Sequence, residues 1–180
     1  MSRRNVPVGE QTFVGYFRSL TRLHGILTAG QVLYGGMALL ARHSSGFSNG
    51  PKNARWATAS AGMDDTGFYA GLVLALVVLV TVHYVFRGRI AAAREKKTIA
   101  EALAAYRQAV VFRDTIGNAI GLFATVAYLL TGHARFVSIT GLVVVVFLVW
   151  WPTREKCLLL LGLEEDPRVA DPNAVIGNVG

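Results

Sequence analysis

Charge and cysteine are both scarce in this chain. Charged residues make up 16% of its 180 positions, and only 11 of them are acidic; a soluble domain usually carries about 25% charge. That composition excludes a disordered or nucleic-acid-binding tail protein and argues against an ordinary soluble enzyme. The single cysteine, Cys157, excludes an internal disulfide framework and a cysteine-cluster metal site. Catalytic signatures are missing as well: no Gly-rich phosphate loop, no nucleophile elbow, no His-Glu-x-x-His. Residues 1–10 show no apolar core followed by a small-residue cleavage site, so the first apolar block is expected to be retained.

What the chain has in abundance is apolar sequence: 53% hydrophobic residues and a mean hydropathy of +0.43. It is concentrated in four blocks, at about 20–41, 67–86, 109–131 and 136–151. Each approaches the ~20 residues that a helix needs to cross ~30 Å of hydrocarbon. Lipid forbids open sheet edges, so helices are the economical reading. The expected fold is an all-α membrane protein with four transmembrane helices in a single domain.

Orientation follows from Lys and Arg. Fourteen of the eighteen lie in the N-terminal segment, in the middle connection and its edges, or after the fourth block. Both termini and the middle connection are therefore expected in the cytoplasm, and residues 42–66 outside, with Phe47 and Trp56 at the interface. The net charge of +7 reflects this bias, so no nucleic-acid partner is expected. The basic residues are free to meet anionic lipid.

The middle connection has no proline, and no glycine after Gly88. Thr98 with Glu101 three residues on reads as a capping box. The second helix is expected to run to about Lys97 and the third to start at about Thr98. The two form a cytoplasmic helical extension closed by Ile90, Ile99, Leu103 and Tyr106. Trp150, Trp151 and Pro152 mark the end of the fourth helix. Residues 152–163 read as a short interfacial helix carrying Cys157 as a buried thiol, and 164–180 as a polar tail.

A shift of 89 residues superposes Arg18 on Arg107, Leu33-Tyr34 on Leu122-Phe123, Ala38 on Ala127 and Leu40 on Leu129. This predicts two parallel-repeat hairpins related by an axis along the membrane normal.

Tyr106-Arg107, Gly121-Leu-Phe-Ala-Thr-Val-Ala-Tyr-Leu-Leu-Thr-Gly132, and Pro152-Thr-Arg-Glu-Lys156 with Leu161-Gly-Leu-Glu164 resemble a group of uncharacterised four-helix bacterial integral membrane proteins. The resemblance is carried mainly by the second half. It implies a multi-pass protein of the bacterial inner membrane and no particular activity. Where that group often has an acidic residue, this chain has Asn118.

Polar residues inside apolar segments are the sharpest functional signal. The first helix carries His24, Thr28, Gln31 and Gly35 on one face. The third carries Arg113 and, on one face, Asp114, Asn118, Gly121, Thr125 and Tyr128. The first and third helices are therefore expected to meet, leaving the second and fourth towards lipid or another protein. Gly117 and Gly121 form a GxxxG, and Gly25 with Ala29 its small-residue relative; both suit close helix approach. Arg113 is expected to snorkel to the headgroups, with Asp114 paired locally.

Three functional readings follow. The first is a non-catalytic subunit, without cofactor or metal, packing against lipids and other membrane subunits or copies of itself. The second is a small proton- or ion-conducting protein using the polar stripe; duplicated hairpins resemble the rotor-ring proteolipids of ATP synthases, which carry a mid-membrane carboxylate where this chain offers Asn118. The remote third is a haem-binding redox subunit using His24 and His83, which are expected at matching depth.

Overall fold

The computed structural model describes residues 12–44, 65–166 and 169. Five helices are found there: α1 (Phe13–Ser44), α2 (Asp65–Arg94), α3 (Ile99–Thr131), α4 (Arg135–Val149) and α5 (Arg154–Leu161). No β-strand occurs among the described residues. The outer connection with Phe47 and Trp56, and most of the polar tail, lie outside them. Three helices, α1 to α3, are long and apolar enough to cross a membrane. A fourth span arises only if α4 and α5, bent by 73°, count as one. By itself α4 has 15 residues, or about 22 Å at ~1.5 Å per residue, short of ~30 Å of hydrocarbon.

Helix boundaries follow local chemistry. α1 starts at Phe13, ahead of the apolar block that opens near Leu20, and Thr12 Oγ1 accepts the Gly15 amide at 3.2 Å to cap the end. α2 stops at Arg94, three residues before the expected Lys97. α3 begins at Ile99, with Thr98 Oγ1 accepting the Glu101 amide at 3.2 Å. α5 is capped at both ends. Thr153 Oγ1 accepts the Lys156 amide, and Gly162, at φ +68°, lets the Leu163 amide reach Leu158 O at 3.0 Å.

The chain divides into two compact units. The first comprises the described residues up to Gly25, His83–Arg113, and those from Trp151 onward. Its core is made of large apolar side chains. Phe13, Tyr16, Leu20, Phe86, Ile90, Leu103, Tyr106, Val110, Cys157 and Leu161 are buried together, with Ile99 packed against them. Tyr16 OH donates to Leu103 O at 2.7 Å. Arg94 Nε donates to Leu160 O at 2.5 Å, serving a carbonyl at the C-terminal end of α5. The expected hairpin core is present and larger than the sequence suggested, because α5 lays Cys157 and Leu161 into it. Burial pushes the Cys157 thiol well above the usual thiol range.

The second unit comprises Ile26–Val82 and Asp114–Trp150, within the described residues. Its core is built of small side chains, Ala38, Ala75, Ala124 and Ala127, with Tyr128, Phe136 and Ile139. Its outside is apolar: Val32, Leu33, Met37 and Leu40 on α1, Val73, Leu74, Val77 and Val80 on α2, Phe123 and Leu130 on α3, and Leu148 and Val149 on α4 are all exposed. Water does not tolerate such a surface on a monomer, whereas lipid does.

In each unit α1 meets α3 at a sequence offset of 87 residues: Tyr16 with Leu103, Gln31 with Asn118. A recurring offset is the mark of helices running in the same direction. The likeness of the two halves stops there, since α2 has 30 residues and α4 only 15.

Candidate functional site: a polar node on the third helix

In the second unit the polar residues converge on Gly121. Gln31 is fully buried, and its Nε2 donates to Asn118 O at 2.7 Å and also to Asn118 Oδ1. Gly121 lies directly beneath this amide. A Cβ built at Gly121 would stand 2.7 Å from Gln31 Cδ and 3.0 Å from Nε2, so any larger residue would force the Gln31 amide to shift. The Gly121 carbonyl accepts Thr125 Oγ1 at 2.9 Å and Thr140 Oγ1 at 3.3 Å. The two hydroxyls lie 3.2 Å apart. α3 is thus joined to α4 through the Gly121 carbonyl and to α1 through the Gln31 amide. Gln31 Oε1 remains buried with no hydrogen-bond partner among the described residues.

The expected meeting of the first and third helices is therefore present, through Gln31, Asn118 and Gly121. Thr28 and Asp114 are buried on the same two faces. The GxxxG works differently from expectation. Gly121 receives α1, but Gly117 receives α4: a Cβ there would lie 2.7 Å from Phe147 Cε1. Gly25 does not make the matching approach either. Its nearest neighbour is Trp151, at 3.7 Å, and Ala29 is exposed.

α4, expected towards lipid or another protein, also turns a face inward: Phe136, Ile139, Thr140, Val143 and Phe147 are buried. Their spacing of three and four residues is helical, but the opposite face is equally apolar, so the sequence carries no contrast to reveal it.

Arg113, in the first unit, is packed inside the protein. It is 5% exposed, with its guanidinium 4.7 Å above the Phe86 ring. A flat, weakly hydrated cation tolerates an aromatic roof where an ammonium would not. Asp114, in the second unit, is 2% exposed.

His24 is buried, its ring edge-on to the Trp151 indole at 5.1 Å between centroids. His83 is exposed on α2 beside Tyr84. Matching depth along the chain thus leaves the two histidines in unlike surroundings, one packed and one open. Among the described residues no group of three or more His, Cys, Asp or Glu is arranged to hold a metal ion.

No protein family, curated protein or solved structure matches this chain.

Proposed function

We propose that this chain is a non-catalytic integral membrane subunit, packing within a larger membrane assembly or with copies of itself. In this reading it sits in a bacterial inner membrane with both termini and the turn at residues 95–98 in the cytoplasm. The Gln31–Asn118–Gly121 node carries the proposal. The Gln31 amide is engaged by Asn118, at a glycine that lets the two helices approach closely. Such a node serves helix association, where interhelical hydrogen bonds and close backbone approach replace the hydrophobic effect. The exposed apolar face of α2 offers area for a neighbouring subunit. Purification in a gentle detergent with mass measurement by light scattering tests it. An oligomer or a stoichiometric complex supports the reading; a monodisperse 19.4 kDa monomer overturns it.

The alternative is a proton-conducting protein, favoured by one observation: Asp114 is a buried carboxylate on a membrane-length helix. Asp114→Asn keeps shape and hydrogen bonding but cannot carry a proton. Under the subunit reading, any proton leak through liposomes holding this variant equals that of the parent. Abolished flux in a folded variant would establish the alternative.

A further inference from the structure

We draw no further inference here: the strongest candidate, the open groove on α2 lined by Ala70, Val73, Leu74 and Val77, is an exposed apolar helix face, and nothing in the structure shows whether lipid, a second copy of the chain or another protein covers it.

Discussion

Gly121 bears on its two neighbours through what it lacks. Because it has no side chain, the Gln31 amide lies flat on α3 and reaches Asn118. Gly121→Leu fills that space and is expected to cost about 1–3 kcal/mol, the range for overpacking a fitted site, when unfolding is followed by titration with a denaturing detergent. Val126→Leu, an exposed position on the same helix, is the control that leaves stability in place. Much of this was legible from residue spacing alone, since Gln31 and Gly121 both fell on polar faces that had to meet something. The partner of Gly117 was not legible. Phe147 sits in a run of valines and leucines that gives no sign of which side turns inward.

Among the elements, glycines at two positions make opposite demands. Gly162 ends α5 in the left-handed region, where an added Cβ is strained by about 1–2 kcal/mol. Gly88 lies inside α2 with open space around it. Gly162→Ala is therefore expected to lower the melting temperature. Gly88→Ala is expected to raise it, by the equivalent of about 0.5–1 kcal/mol of helix propensity. Thermal melts of the two variants beside the parent check both signs. The caps at Thr98 and Thr153 were readable because a hydroxyl three residues ahead of an amide is a local signal. The start of α1 at Phe13 was masked by Arg18 and Arg22, which look like flanking charges when only hydropathy is followed. The partnership of α5 with the hairpin rests on contacts more than fifty residues apart in sequence, such as Arg94 with Leu160, and no local pattern encodes those.

For the whole molecule, the lengths of α1, α2 and α3, at 32, 30 and 33 residues, exceed the ~20 that hydrocarbon requires. The surplus bears the first unit's charges. If the turn at residues 95–98 is cytoplasmic, a cysteine at Lys97 resists an impermeant thiol reagent applied from outside, and one at Ser48 reacts. The reverse pattern would invert the assigned orientation. The buried Cys157 gives little background labelling, because a desolvated thiol forms little thiolate.

The two units also differ in what they bury. The first hides phenylalanine, tyrosine and leucine from water, so its cohesion follows the temperature dependence of apolar hydration: weaker on cooling, and weakened by urea. The second shows leucine and valine to lipid and holds together by backbone proximity and hydrogen bonds, for which water is no competitor. If the first unit lies in water and the second in lipid, cooling or urea is expected to loosen the first before the second, as amide hydrogen exchange resolved by residue would read.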